Sequence, residues 1–185
     1  SYRQKRMAQF CAGKQRIVDL GCSDMPNLYL QNPEVIGLDI SDFSERTDNY
    51  TQAVIGDALA LPNPFAPGSF DALVAGEILE HLERPVDALR AWRACLKPDG
   101  ILVLSTPNPN SMMERVLTWG LSRRYYYTTD HVCLFPQRWL LRMLEIVGFK
   151  NVRLYSGGFP LPYLGLIPFP RPWCYQTIAV AENST

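Results

Sequence analysis

Short apolar runs, each closed by glycine or a polar residue, recur along the chain and set its predicted architecture. The first is Arg16-Ile17-Val18-Asp19-Leu20-Gly21-Cys22, and the second is Val35-Ile36-Gly37-Leu38-Asp39-Ile40. Runs of this kind mark strands covered on both faces, as the parallel strands of an α/β sheet are. Strands are expected at Gln15 to Cys22, Glu34 to Ile40, Thr51 to Gly56, Phe70 to Ala75, Ile101 to Ser105, Asn151 to Tyr155 and Gln176 to Ala181.

Between them the apolar residues take helical spacing. Met7, Phe10 and Cys11 predict an amphipathic helix over residues 1–14, and Val86, Leu89, Trp92 and Leu96 form a stripe on a helix opened by Pro85. Met112, Val116 and Trp119 suggest a further helix, and Leu140, Leu141, Leu144 and Val147 line one that follows Phe135-Pro136 and stops at Gly148. Residues 23–33, bounded by Pro26 and Pro33, leave room for barely two helical turns, and Ser41 to Asn49 predicts a short crossover. Lys97-Pro98-Asp99-Gly100 reads as a turn. Five prolines between Phe159 and Trp173 predict an irregular apolar loop, because proline suits neither helix nor central strand.

A chain of 185 residues is one domain by length, residues 1–185, large enough for a sheet covered on both faces. Basic and acidic residues number 18 each, so no global field draws the chain to nucleic acid, and no DNA partner is expected. The five cysteines lack C-x-x-C spacing, which fits reduced thiols in a cytosol. No apolar run approaches the roughly 20 residues of a membrane span, and the start does not read as a signal peptide, so a cytoplasmic location is expected. Arg3, Lys5, Arg6, Lys14 and Arg16 make the first segment basic. They form either a solvated face or a phosphate-binding or lid element.

Open α/β sheets bind ligands outside the carboxyl ends of their strands. Gly21 permits a tight turn there, and Asp39 stands about where such folds place a carboxylate for a ribose, roughly 20 residues on. The pair suggests a nucleoside. A dinucleotide needs a glycine cradle for its diphosphate, yet Ser23 and Pro26 occupy the positions where further glycines would fall. S-adenosylmethionine has no phosphate. It carries an ammonium, a carboxylate and a sulfonium, and Asp19 offers a carboxylate beside the turn.

The ordered series Asp19-Leu20-Gly21-Cys22, Gly37-Leu38-Asp39, Gly56-Asp57-Ala58-Leu59-Ala60-Leu61-Pro62, Phe70-Asp71-Ala72-Leu73-Val74, Glu77-Ile78-Leu79-Glu80-His81-Leu82 and Leu96-Lys97-Pro98-Asp99-Gly100-Ile101-Leu102 resembles the class I S-adenosylmethionine-dependent methyltransferases. It is most similar to the small-molecule branch that includes ubiquinone and menaquinone pathway enzymes. In that family the first loop usually reads Gly-Cys-Gly-x-Gly, where this chain has Gly21-Cys22-Ser23-Asp24-Met25. The resemblance implies a Rossmann-like, seven-stranded, mostly parallel sheet with helices on both faces and an antiparallel last strand. It places substrate-side insertions at 106–135 and 156–174. It implies S-adenosylmethionine as cofactor, held by Asp19, Gly21, Cys22, Ser23, Asp39, Ile40, Asp57, Ala58 and Glu77. Asp57 and Ala58 would meet the adenine, although Asp57 also suits a helix cap.

The implied reaction moves a methyl group to a small-molecule or lipid-linked acceptor, at oxygen. Protein groups mainly have to bring the acceptor to the methyl in line. His81 and His131 are the candidate bases, since histidine titrates near neutral pH, and either is also readable as structural. No metal is expected, with one alternative. Glu77, Glu80 and His81 share a face if helical, and with His131 they resemble the magnesium-binding set of small-RNA 2′-O-methyltransferases. Further alternatives are a metal-dependent RNA methyltransferase, a nicotinamide oxidoreductase or epimerase, and a catalytically silent binding module. Asn108 and Asn110 suit a substrate or a turn, and Arg123-Arg124-Tyr125-Tyr126-Tyr127 reads as an anion or aromatic clamp or a surface loop. The proline-rich loop reads as a lid over an apolar acceptor, a lipid-touching patch, or a loop folded on its own domain.

Overall fold

The computed structural model describes residues 1–43, 49–62, 64–120, 131–161 and 165–184. Arg123 to Tyr127, read as a clamp or surface loop, lie outside them.

Seven strands build the central sheet: β1 (Arg16–Leu20), β2 (Glu34–Asp39), β3 (Gln52–Ile55), β4 (Phe70–Gly76), β5 (Leu96–Pro107), β6 (Lys150–Ser156) and β9 (Gln176–Glu182). Their order is β3-β2-β1-β4-β5-β9-β6, parallel except that β9 runs antiparallel to both of its neighbours. The Rossmann-like fold and its antiparallel last strand are therefore as expected. The sheet reverses direction of growth between β1 and β4, which opens a crevice at the carboxyl ends.

Successive side chains of a strand point to opposite faces, and the core divides accordingly. Val18, Leu20, Ile36, Leu38, Leu73, Leu102 and Leu104 pack on one face beneath α2 (Pro85–Cys95) and α4 (Gln137–Val147), against Leu89, Trp92, Leu140 and Leu144. Ile17, Val35, Ala72, Val74, Val103 and Ile178 pack on the other beneath α1 (Tyr2–Phe10), with Leu30, Phe43 and Tyr50. Gly37 of β2 is required there, since a Cβ would lie 2.8 Å from the Phe43 ring and 2.9 Å from Cys22 Sγ. Helix α3 (Met112–Gly120) follows β5.

Four expectations need correcting. No helix forms between β1 and β2: residues 21–33 are turns and coil, pinned by Gln4 donating to the carbonyls of Met25 (3.2 Å) and Pro26 (3.0 Å) and by Asn32 donating to those of Cys11 and Lys14 (2.8 Å each). Residues 97–100 lie inside β5. Phe70 pairs with Leu96 while Ala72 pairs with Ile101, so the turn-forming sequence makes a bulge opposite Asp71, held by Lys97 at 2.8 Å. The proline-rich segment is not irregular throughout: β7 (Phe159–Leu161) pairs with β8 (Gly165–Ile167) as a separate hairpin, where prolines interrupt no central ladder. The N-terminal helix ends at Phe10, short of residue 14.

Candidate functional site

The carboxyl ends of β1 to β4 share one rim, and a cleft of about 540 Å³ opens along it. Gly21, Ser23, Asp39, Ile40, Asp57, Ala58, Gly76, Glu77, Ile78 and His81 are among its walls. This volume suits a small organic ligand. Gly21 turns the chain at φ +65°, and a Cβ there would come within 3.0 Å of Ile78 Cδ1, so glycine keeps the cleft floor open.

Asp39 joins two walls. Its Oδ2 accepts from the Ser23 amide and its Oδ1 from the Ser41 amide, both at 2.9 Å. A carboxylate has about four lone-pair sites, so each oxygen retains capacity for a diol. Ile40 beside it is 73% exposed, an apolar surface offered to a flat ring. Asp57 Oδ1 accepts from the Leu59 amide at 2.8 Å, a capping-type bond in a turn where no helix follows. The Ala58 carbonyl accepts from Trp92 Nε1 at 3.0 Å, which anchors this wall to the helical face. Cys22 is buried, and its side chain fills core space beside Gly37, so only its backbone can face a ligand.

Asp19 stands apart from the larger cleft. It lines a smaller neighbouring hollow with Arg3, Gln4, Met25 and Asn27, and Gly21 and Gly76 border both spaces. Asp19 Oδ2 accepts from the Tyr50 hydroxyl at 2.6 Å and the Asn27 amide at 3.3 Å. Burial pushes its carboxyl up to about 6, with the Tyr50 bond, the Asn27 amide and the Arg3 charge opposing.

Glu77 takes φ +59°, a left-handed conformation that a non-glycine residue adopts at a cost. The side chain is locked in return: Arg3 lies 3.0 Å from Oε1, Ser105 donates to Oε1 at 2.9 Å, and Gln176 donates to Oε2 at 2.8 Å. Arg3 itself is 3% exposed and its Nε has no partner among the described residues. Neither Arg3 nor Tyr50 was picked out from the sequence as a site residue. Arg3 precedes Met7 by four residues, which places both on one buried helix face. That spacing was the available signal. Tyr50 had none.

The family model for a methyltransferase domain matches residues 3–154. The chain belongs to the class I S-adenosylmethionine-dependent methyltransferase family. A demethylmenaquinone methyltransferase of Staphylococcus carnosus is 31% identical over 158 residues, 71% of this chain and 65% of that protein. A ubiquinone biosynthesis O-methyltransferase of Bordetella pertussis is 29% identical over 106 residues, 52% of this chain and 44% of that protein. The chain thus matches less than two thirds of these relatives' own lengths. Among solved structures, a SAM-dependent methyltransferase from Archaeoglobus fulgidus aligns with TM-score 0.74 at 20% identity, covering 97% of this chain and 91% of that one. Another, a possible histamine N-methyltransferase from Thermotoga maritima, aligns with TM-score 0.78 at 16% identity, covering 100% and 90%. These two establish the shared fold.

The methyltransferase cleft fits the cofactor that the family implies. It combines a glycine turn, a carboxylate with spare acceptor capacity and an exposed isoleucine, and it offers no glycine cradle for a diphosphate.

At the far end of the cleft the chain forms a second cluster. The 3-10 turn Leu79–His81 follows β4, and the segment after residue 130 returns to it, Val132 and Cys133 donating to the Glu80 carbonyl at 2.8 and 3.1 Å. The His81 and His131 rings lie 4.8 Å apart between centroids, at 73°. Glu80, His81 and His131 each offer a ligand atom within 4.8 Å of the others. Glu77, grouped with them from its spacing, is tied to Arg3, Ser105 and Gln176 and is not in the cluster. Glu80 is 0% exposed, and neither carboxylate oxygen takes a well-formed hydrogen bond from the described residues. Burial and then the Glu77 charge push its carboxyl up to about 8, which nearby Thr106 eases.

Asn108 is buried and structural: it donates to the Pro172 and Cys174 carbonyls at 3.3 and 2.9 Å and accepts from the Asn110 amide at 3.1 Å. The β7–β8 hairpin lies against α1, where the Gly158 backbone meets Tyr2. No helix among the described residues is long and apolar enough to cross a membrane.

Proposed function

We propose that this protein transfers a methyl group from S-adenosylmethionine to an oxygen of a small-molecule or lipid-linked acceptor, and that it does so in the cytoplasm. The observation that carries this reading is the rim where Asp39 binds the Ser23 amide beside Gly21, because it sets a ribose-binding carboxylate against a tight glycine turn. Adenosine occupies the larger cleft, with Asp39 on the ribose, Ile40 against the adenine ring, and Asp57 and the Ala58 amide at its polar edge. The amino-acid end lies at Gly21 and Gly76, where the cleft borders the small hollow; that hollow has about 10 Å³ of free space, so Asp19 and Arg3 act on the ammonium and the carboxylate as charges behind the turn. Cys22 and Ser23 contribute backbone at the turn. The sulfonium then lies near Gly76 and Glu77, on the side of His81.

In the reaction an acceptor oxygen pair forms the bond to the methyl carbon and the carbon–sulfur bond breaks in line. The sulfonium leaves as a neutral thioether, and the acceptor proton passes to the His81–His131 side. The name of the ubiquinone-pathway relative, an O-methyltransferase, supports an oxygen acceptor. Incubation with 13C-methyl-labelled S-adenosylmethionine and a simple catechol tests this. Label in an aryl methyl ether is expected. Binding of S-adenosylhomocysteine with label found on nitrogen or carbon of alternative acceptors would reject the oxygen assignment.

A further inference from the structure

We propose that Glu80, His81 and His131 form a divalent-cation site at the acceptor end of the cleft. The proposal rests on the methyltransferase reading above and specifies how its acceptor side works.

Three observations converge. The donor atoms of the three residues lie within 4.8 Å of one another although 131 is far from 80 in sequence. The juxtaposition is built, since Val132 and Cys133 both bond back to the Glu80 carbonyl and fix the approach of His131. Glu80 is fully buried with both carboxylate oxygens lacking a well-formed partner, an arrangement that costs free energy unless something neutralises and coordinates the group.

The donor chemistry selects the cation. Two imidazole nitrogens and one carboxylate oxygen suit Zn²⁺, Mn²⁺ or Co²⁺ better than Mg²⁺, which favours oxygen ligands. Bond lengths of about 2.0–2.2 Å ask the three atoms to draw in from their present spacing. His131 is half-buried and His81 exposed, so neither ring is enclosed in the core. Three protein ligands leave a position open, and His81 borders the cleft, so that position faces the acceptor. With a cation bound, both imidazoles are engaged as ligands, so the cation takes over their role: it would place the acceptor oxygen and favour loss of its proton to water in the open cleft. Glu77 takes no part, because Arg3, Ser105 and Gln176 hold it.

Titration of the purified, chelator-treated protein with Co²⁺, followed by visible absorption and calorimetry, tests the site without recourse to activity. Uptake of one Co²⁺ per chain is expected, weakened at least about tenfold in Glu80→Gln and in His131→Gln. No uptake by the wild type, or uptake by both variants as tight as the wild type's, would overturn the proposal. Calorimetry with S-adenosylhomocysteine on the same samples separates the two readings: all three proteins are expected to bind it. Its loss in every sample would count against the methyltransferase reading and leave the Co²⁺ result to decide the cation site. Loss in a variant alone would show a damaged fold, in which case Glu80→Asp replaces it, with the same expected weakening.

Discussion

The two faces of the central sheet bury their strands equally well but by different means. Above Leu20, Leu73 and Leu104 lie α2 and α4, whose Leu89, Trp92, Leu140 and Leu144 close the core with apolar side chains, Trp92 adding one hydrogen bond to the Ala58 carbonyl. Beneath Ile17 and Val74 lie α1 and coil, and the seams there are polar. Arg3 meets Glu77, Tyr50 bonds Asp19, Asn27 donates to the Gln4 carbonyl at 3.1 Å, and Asn49 donates to the Asn27 carbonyl at 2.9 Å. Helices with apolar stripes make a face that only has to be stable. Coil stitched by buried polar groups makes a face whose stability and cleft geometry share the same bonds, because those groups sit directly behind the rim proposed to hold the cofactor.

The sharpest contrast comes from Arg3→Met. It leaves Glu77 without its cation in a largely buried place, with an expected stability loss of about 3–5 kcal/mol. It also weakens S-adenosylhomocysteine. Urea unfolding and calorimetry on one preparation measure both. Leu144→Ala on the opposite face costs about 2–5 kcal/mol of stability while the folded protein keeps its affinity. Equal affinity losses in these two variants would erase the distinction between the faces.

Tyr50→Phe is a smaller perturbation. It removes the hydroxyl that Asp19 accepts from, at an expected cost of about 1–3 kcal/mol, and lifts the Asp19 carboxyl further. Asp19 also has a pH signature. Its carboxyl is raised in the folded state from 3.8 to about 6, so the folded protein holds the proton more tightly than the unfolded chain. The resulting stabilisation is fully present below 3.8 and is lost as pH rises through about 6. Relative to Asp19→Asn, the wild type therefore loses stability across that window, seen as a falling denaturant midpoint. Cofactor binding runs the other way, since ionised Asp19 attracts the ammonium. Parallel trends for both quantities would break the link between Asp19 and the cofactor.

The same contrast explains what the sequence disclosed. Strand positions, the α2 and α4 stripes and the positions of Gly21 and Asp39 follow local periodicity and turn chemistry, which act over a few residues. The coil between β1 and β2, the buried Arg3 and the Tyr50–Asp19 bond depend on partners far along the chain, and no local pattern encodes them. Residues 97–100 show an intermediate case: the turn composition was legible, but the bulge arises only from pairing with β4. At the acceptor end, spacing grouped Glu77 with Glu80 and His81, and the left-handed backbone at Glu77 then directs its side chain to Arg3 instead.

The smallest expected effect bears most directly on the central claim. Isothermal titration with S-adenosylhomocysteine of the wild type and of Asp39→Asn should give one site per chain, about tenfold weaker in the variant, or about 1.4 kcal/mol. Absence of binding by the wild type, or an affinity indifferent to Asp39, would contradict a nucleoside cofactor held at this rim.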